Sequence, residues 1–155
     1  ISDDEDLLPI NSYGKAKVSL FHRLIELKKK FGFNLVWARL FYLYGNGQST
    51  NSLIGQLEKA IKNKQELFNM SSGEQLRDYM KVEDLVKQII DISLLKKDFG
   101  AINLCSGKPI RVKDLVSRVC QENKWNIKLN LGHLDVSKNE PKNFWGIPSD
   151  KLPKQ

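Results

Sequence analysis

The sequence predicts an α/β fold, because amphipathic helical patterns alternate with short apolar stretches along most of its length. Its 155 residues, 41% of them hydrophobic, suffice for one globular unit with a sizeable core. We find no internal repeat and no linker rich in Gly, Ser or Pro. Such an alternation favours layers of helix packed on sheet over a helical bundle or a β-sandwich.

Four segments carry apolar side chains at helical spacing. The strongest pattern covers residues 13–31 and ends in a lysine run followed by Gly32. Further helices are predicted for residues 52–63, from Val82 onwards, and for residues 112–121.

Strand patterns lie between the helices. Residues 34–41 form a mostly apolar run, which predicts a strand buried on both faces. Shorter extended segments are predicted at residues 67–70, 77–81, 101–105 and 126–131. The tail from Gly132 to Pro153 and beyond lacks periodicity, and its prolines predict an irregular segment that packs Phe144 and Trp145.

The composition narrows the classes of function. A net charge of +7 is compatible with a nucleic-acid ligand, but the lysines are dispersed, so this class is disfavoured. A site for anionic nucleotide diphosphates fits the same charge. The longest apolar stretch, residues 35–44, is interrupted by Arg39 and is far shorter than the ~20 residues of a membrane helix. The acidic start has no signal-peptide pattern, so we expect a cytoplasmic protein.

The two cysteines do not suggest a metal site. Cys105 and Cys120 form no Cys-x-x-Cys motif, and only His22 and His133 could join them as imidazole ligands. Both cysteines are therefore expected to be reduced core residues, as is usual for buried cysteine in a cytosolic protein.

Tyr13 and Lys17 stand one turn apart on the same face of the strongest predicted helix. A phenol titrates near pKa ~10 in free tyrosine, so it needs a nearby cation to act as a base at neutral pH. With that help it can exchange a proton with a sugar hydroxyl while hydride passes between the same carbon and a nicotinamide. Taken alone, the spacing is also that of an ordinary surface pair, and this alternative stays open.

Four short motifs add context to this pair. They are Pro9-x-x-x-Tyr13-Gly14-x-x-Lys17, Arg39-Leu40-Phe41-x-x-Tyr44-Gly45-x-Gly47-Gln48, Arg77-Asp78-Tyr79-x-x-Val82-x-Asp84 and Asn103-x-x-Ser106-Gly107. In this order and approximate spacing, over nearly the whole chain, the sequence resembles the extended short-chain dehydrogenases/reductases, which include nucleotide-sugar epimerases, dehydratases and 4-reductases. The stretch Glu140-Pro141-x-x-Phe144-Trp145-Gly146 looks most like enzymes of 6-deoxyhexose pathways.

The resemblance implies a fold and a cofactor. The chain would be the C-terminal part of a Rossmann-type doubly wound sheet followed by a small mixed α/β lobe. Residues 1–50 would end the dinucleotide-binding domain, and residues 51–155 would form mainly the substrate-binding lobe. Tyr13 would be the acid/base, Lys17 would hold the nicotinamide ribose of NAD or NADP, and Leu40 and Leu43 would lie near the nicotinamide.

The resemblance also implies a nucleotide-diphosphate sugar as substrate. Arg77 would meet the diphosphate, for which its planar fork is suited, with an ion pair to Asp78 or Glu74 as the alternative. Tyr42 stands where many relatives have Asn, so it would meet the phosphate or sugar differently. Four further positions would lie near the nucleotide, although each suits packing or capping equally: Ser52, Leu53, Phe68 and Asn69.

Two family features do not occur in this sequence. No glycine-rich fingerprint for the cofactor pyrophosphate follows a strand, and the catalytic Ser/Thr of the family would precede Ile1. We therefore expect a longer enzyme whose cofactor-binding half is missing here, with a homodimer formed through the Tyr13 helix. A non-catalytic relative of the same fold stays open as an alternative.

Overall fold

The computed structural model describes residues 1–3, 8, 9, 11–136 and 141–152. Glu140 and Pro153, which entered the sequence predictions above, lie outside the described residues. In chain order the elements are α1 (Ser12–Phe31), β1 (Val36–Leu40), β2 (Tyr42–Tyr44), α2 (Leu53–Lys62), β3 (Leu67–Asn69), β4 (Leu76–Arg77), β5 (Tyr79–Lys81), α3 (Val82–Leu94), β6 (Gly100–Leu104), β7 (Ile110–Arg111), α4 (Val112–Asn123), β8 (Lys128–Asn130) and β9 (Asn143–Phe144). All four predicted helices are present, as is an extended element in each predicted strand segment.

Most strand pairs are parallel. β1 pairs with β6, placing Val36 opposite Gly100 and Leu40 opposite Leu104. β2 pairs in parallel with β5, and β3 with β8. β4 lies between antiparallel β7 and parallel β9. Because parallel strands need crossover connections, this pairing is typical of an α/β architecture and confirms the predicted fold class.

The buried side chains form two clusters. One joins α2 and α4, with Leu57, Leu115 and Val116 at its centre. The other packs α3 against β6 through Leu85, Ile92, Ile102 and Leu104. The second cluster therefore holds the β1–β6 pair in place, since it fixes one face of β6.

The prediction that the first strand is buried on both faces is wrong. The residues of β1 alternate between exposed and half-buried, and none is buried. Phe21 of α1 packs on Trp37 with ring centroids 5.2 Å apart, yet α1 itself has no buried residue. An apolar run predicts that other elements pack against both faces of a strand. It does not show which elements these are.

Other sequence predictions agree with the structure. Cys105 and Cys120 are both free and buried. The proline-rich tail packs its aromatic side chains, as Phe144 lies against Phe41 with centroids 5.7 Å apart. Within the described residues, no helix combines the length and the apolar character needed to cross a membrane.

Candidate active site

The start of α1 is fixed by three residues that precede or open the helix. The side-chain oxygen of Asn11 accepts a hydrogen bond from the Gly14 N–H at 2.8 Å, which is an N-cap. A Cβ on Gly14 would lie only 2.9 Å from Cβ of Pro9, so the proline packs directly on the first turn. This contact explains why Pro and Gly flank Tyr13 at these spacings.

Tyr13 and Lys17 lie together at this end of α1. The Lys17 Nζ is 5.6 Å from the centroid of the Tyr13 ring, which is within the range of a cation–π contact. Tyr13 is 72% exposed, so the phenol is open to a ligand. The two groups therefore share a face and are accessible, which is the arrangement that proton exchange with a ligand requires.

The direction of α1 places this pair at one edge of the β1–β6 sheet. Phe21 packs on Trp37, the second residue of β1, and Lys28 pairs with Asp98, just before β6 begins. From there α1 runs back about 12 Å to Tyr13, while β1 runs about 10 Å from Trp37 to its last residue. Tyr13 is thus carried to the carboxyl ends of the parallel strands, where α/β sheets bind their ligands.

Leu40 and Leu43 lie at the same end of β1. Leu40 is the last residue of β1 and is half exposed, whereas Leu43 of β2 is partly buried and packs against the α3–β6 cluster. An exposed apolar side chain at a strand end suits the flat face of a nicotinamide. Leu40 fits this prediction better than Leu43.

Arg77 is almost completely buried, with 1% of its surface exposed. Its guanidinium donates to the backbone carbonyls of Leu76, Lys142 and Pro141 at 2.8, 3.2 and 2.6 Å. Glu74, one of its predicted ion-pair partners, pairs with Lys113 and Arg111. The hydrogen bond from Lys113 lowers the pKa of Glu74. In this arrangement the Arg77 charge ties β4 to the tail.

Asp78, the other predicted partner, is fully buried between β4 and β5. Its two carboxylate oxygens accept hydrogen bonds from the backbone N–H groups of Ser106 and Gly107 at 2.8 and 2.7 Å. Its carbonyl oxygen accepts the Tyr42 N–H at 3.2 Å. Asp78 therefore connects the start of β2 to the turn after β6.

Tyr42 sits in a group of aromatic rings above Arg77. The Arg77 guanidinium carbon is 5.7 Å from the Tyr42 ring centroid, and the rings of Tyr79 and Phe144 lie 5.3 and 6.2 Å from it. Tyr42 is 37% exposed, in contrast to Arg77. A ligand at this point would therefore meet the ring of Tyr42, and the Arg77 cation lies buried behind that ring.

The four remaining candidates have visible structural roles. Ser52 caps α2, since its hydroxyl oxygen accepts the Gly55 N–H at 3.1 Å. Leu53 and Phe68 pack in the α2–α4 cluster. Asn69 is exposed, and its side-chain oxygen accepts a hydrogen bond from Asn130 at 2.7 Å. Their predicted contacts with a nucleotide stay predictions.

Sequence reasoning missed the backbone contacts of two buried polar residues, Asp78 and Asn103. Asp78 and Asn103 were recognised as motif positions, but their partners are distant in the chain. The backbone N–H of Asn103 donates to the Asp3 carboxylate at 2.7 Å, and its amide nitrogen donates to the carbonyls of Ile1 and Ile147 at 3.0 and 3.2 Å. The sequence signal that could have revealed them is that Asp78 and Asn103 each stand inside one of the four motifs.

No metal centre is evident among the described residues, because no three His, Cys, Asp or Glu side chains converge there. Fold and site together define the class of protein. It is an α/β chain that presents an exposed tyrosine and a neighbouring lysine at the carboxyl edge of a parallel sheet.

Residues 1–105 match the model of the NAD dependent epimerase/dehydratase family, and the chain belongs to that family. It is 31% identical over 139 residues to a dTDP-6-deoxy-L-talose 4-dehydrogenase (NAD(+)) of Aggregatibacter actinomycetemcomitans, a match that covers 89% of this chain and 51% of the relative. The chain spans about half the length of the curated relatives it matches.

Solved structures agree on the fold. A UDP-N-acetylglucosamine 4-epimerase from Methanobrevibacter ruminantium M1, solved with UDP-N-acetylmuramic acid, matches with a TM-score of 0.79 at 25% identity, over 96% of this chain and 48% of that one. A UDP-glucose 4-epimerase from Thermotoga maritima, solved with UDP-glucose, matches with a TM-score of 0.82 at 20% identity, over 96% and 48%. The expected Rossmann-type fold and family are thus confirmed.

Proposed function

We propose that this chain supplies the proton-transfer site of an enzyme that moves hydride at a hexose carbon of a nucleotide-diphosphate sugar. The observation that carries the proposal is the exposed Tyr13 beside Lys17 at the carboxyl edge of β1 and β6. Family membership supports it, and so does the relative whose name specifies a 4-dehydrogenase that uses NAD(+).

The residues at this edge fit the nicotinamide half of NAD or NADP. An accessible phenol and an ammonium group on one helix face can both hydrogen-bond to ribose hydroxyls, and Leu40 offers an apolar surface. When bound, the cofactor would accept or donate the hydride. We expect the cofactor phosphates to be held by the half of the relatives that this chain does not match.

Tyr13 takes a proton from the sugar hydroxyl, or returns it, at its phenol oxygen. Lys17 stabilises the phenolate because its positive charge lies one helical turn away. Residues 1–50 thus provide the chemistry, and residues 51–155 mainly hold the sugar nucleotide.

Tyr42 presents the accessible surface to the substrate, and Arg77 lies behind it. A direct contact between Arg77 and the diphosphate requires the carbonyls of Pro141 and Lys142 to release its guanidinium. Substrate contacts by Ser52, Leu53, Phe68 and Asn69 belong to the same proposal. They have less support, because Ser52 already caps α2, Leu53 and Phe68 pack in the α2–α4 cluster, and Asn69 bonds to Asn130.

The assembly and location follow from the same proposal. A homodimer would form through α1, which has no buried residue and exposes apolar Leu20. Two reduced cysteines fit a cytoplasmic location. Sedimentation equilibrium of the wild type and of Leu20→Glu tests the dimer, which the glutamate should disrupt.

A chimaera tests the proposed chemistry. The part of the Aggregatibacter relative outside the match is joined to this chain, and NADH formation from NAD⁺ is followed with dTDP-6-deoxy-L-talose. Lys17→Met should reduce turnover by about 100-fold or more, whereas Lys15→Met, an exposed lysine on the same helix, should leave it within about twofold. A chimaera that folds and binds NAD⁺ but shows equal turnover for both variants would refute the proposal.

A further inference from the structure

The edge of the sheet opposite to Tyr13 is formed by two connections. One joins α1 to β1, and the other joins α3 to β6. Because β1 and β6 are parallel, both connections lie at the amino-terminal ends of these strands. The Asn34 side chain donates to the Lys96 carbonyl at 2.6 Å, and Lys28 pairs with Asp98. The two connections therefore lie side by side at this edge.

This edge carries a large part of the positive charge of the chain. Residues 28–34 and 94–98, which we call the basic edge, contain five lysines and a single acidic residue, Asp98. They thus contribute +4 to the net charge of +7. Because Asp98 already pairs with Lys28, the other lysines are not neutralised by an acid of the basic edge itself. Those four lysines are all exposed: Lys29, Lys30, Lys96 and Lys97.

Large apolar side chains stand among these lysines. Phe31 is 66% exposed and Leu94 is 72% exposed, and the Lys30 Nζ lies 5.2 Å from the centroid of the Phe31 ring. Phe33 and Leu95 are exposed as well. Single apolar side chains scattered over a surface are ordinary, but these four share one edge with the lysines. They would gain free energy if a partner removed them from water.

Stabilisation of the helix ends explains only part of the basic edge. The lysines in the last turn of α1 complement the negative end of its dipole. The last turn of α3 has no basic residue, and Lys96 and Lys97 follow its C-cap, Leu95. The dipole also gives no reason to expose Phe31 or Leu94. The combination of cations and apolar side chains therefore indicates a surface that binds something both anionic and apolar.

We infer that the basic edge binds the surface of an anionic lipid bilayer. The ammonium groups contact the lipid phosphates, while Phe31 and Leu94 enter the boundary between the headgroups and the acyl chains. A nucleic acid also offers phosphates, but it provides no apolar layer for Leu94. The inference goes beyond the proposed function, because a bilayer bound at the basic edge leaves the Tyr13 end of the sheet open.

Co-sedimentation with lipid vesicles tests the charge requirement. The complete 155-residue chain is mixed with vesicles of phosphatidylcholine alone, or of phosphatidylcholine and phosphatidylglycerol. One double variant combines Lys96→Gln with Lys97→Gln. Its matched control combines Lys62→Gln with Lys64→Gln, which removes the same charge from exposed positions at the end of α2. All four replaced side chains are exposed, so both variants should melt like the wild type.

We expect the chain to bind the anionic vesicles at least about tenfold more tightly than the neutral ones. The double variant of the basic edge should lose about tenfold or more of this affinity, and the control should stay within about threefold of the wild type. Absence of binding to the anionic vesicles, or equal losses in the two double variants, would overturn the inference.

A second pair of variants tests the apolar requirement. Phe31→Ser should weaken binding to the anionic vesicles about fivefold or more. Leu67→Ser in β3, which replaces a side chain that is 46% exposed outside the basic edge, should leave binding unchanged. Equal affinities of these two variants would show that no side chain enters the bilayer at Phe31 and would contradict the inference.

Two further measurements distinguish other uses of the basic edge. Fluorescein-labelled duplex DNA is titrated with the same variants, and tighter binding to DNA than to the vesicles, lost with the Lys96 and Lys97 substitutions, would assign the surface to nucleic acid instead. The chimaera should bind the anionic vesicles as the 155-residue chain does. Loss of vesicle binding in a folded chimaera would also refute the inference, because the rest of the enzyme would then cover the basic edge.

Discussion

The carboxylate of Asp78 and the backbone N–H of Gly107 lie 2.7 Å apart although the residues are separated by 29 positions in the chain. Together with the bond to Ser106, this contact holds the turn after β6 against the segment that carries Arg77 and Tyr79. The Tyr42 N–H bonds to the carbonyl of Asp78 as well. The aromatic part of the candidate site thus depends on one buried carboxylate.

Replacing Asp78 should therefore destabilise the protein strongly. Asp78→Ala leaves two partly buried N–H donors without an acceptor, which costs about 2–5 kcal/mol of unfolding free energy. Asp78→Asn keeps one carbonyl acceptor and should lose less. Urea denaturation measures both. The control is Asp114→Ala, which removes an exposed carboxylate 3.8 Å from Arg111 and should change stability by less than about 0.5 kcal/mol. Equal stabilities of Asp78→Ala and Asp114→Ala would contradict this role.

The two native thiols should resist alkylation. Burial raises the pKa of Cys105 to about 11, with the nearby Asp78 charge adding to the effect, and burial also raises the pKa of Cys120. At pH 8 only about one Cys105 thiol in a thousand is then the reactive thiolate. Iodoacetamide labelling followed by mass spectrometry should show both cysteines labelled only after unfolding. Ser72→Cys, at an exposed position, provides a thiol that should react at once. Rapid labelling of Cys105 in the native protein would be inconsistent with its burial.

Acid should weaken the anchor at the C-terminal end of α1. A hydrogen bond from Lys28 lowers the pKa of Asp98, and the Leu35 N–H contributes further. Because the folded pKa is below the unfolded one, this stabilisation is present above about pH 4 and is lost as the pH falls below it. Asp98→Asn should lower the urea midpoint at pH 6 and should have a smaller effect at pH 3. Asp84→Asn, which removes an exposed partner of Lys87, should show no such difference. An Asp98→Asn effect that is the same at both pH values would exclude this contribution.

Ser52 should stabilise α2 as its N-cap. Ser52→Ala removes the acceptor of the Gly55 N–H and should cost about 1 kcal/mol. Ser117→Ala, whose hydroxyl donates to the Lys113 carbonyl within α4, is the control and should cost less than about 0.5 kcal/mol. Thermal melts compare the two. If Ser52 also contacts the nucleotide, the Ser52→Ala chimaera should bind the dTDP-sugar more weakly than the unsubstituted chimaera. This difference should remain when binding is calculated for the folded molecules alone.

Sequence reasoning succeeded where the signal was local. α1 and α4 extend over many residues, so their apolar periodicity was sufficient, and the predicted end of α1 at Gly32 agrees with its C-cap. The four-residue spacing of Tyr13 and Lys17 on one helix likewise predicted their proximity.

The structural features that the sequence did not predict depend on residues that are distant in the chain. The exposure of β1 depends on how other elements pack against it, and no pattern within Val36–Leu40 reveals that. The bonds of Arg77 to Pro141 and Lys142 were not predicted, because these residues lie about sixty positions away in the chain. The predicted contact of Arg77 with a diphosphate stays a prediction. The contacts of Asp78 with Ser106 and Gly107 were missed for the same reason, because a carboxylate that binds remote backbone N–H groups has no local sequence pattern.

Turnover of Tyr13→Phe in the chimaera is the most direct measurement of the proposed chemistry. The substitution removes one oxygen from a largely exposed ring, so folding and the contact with Lys17 should be preserved. If the phenol exchanges the sugar proton, kcat should fall by about 100- to 10,000-fold while NAD⁺ still binds. A kcat within about twofold of the wild type would show that Tyr13 does not carry the proton.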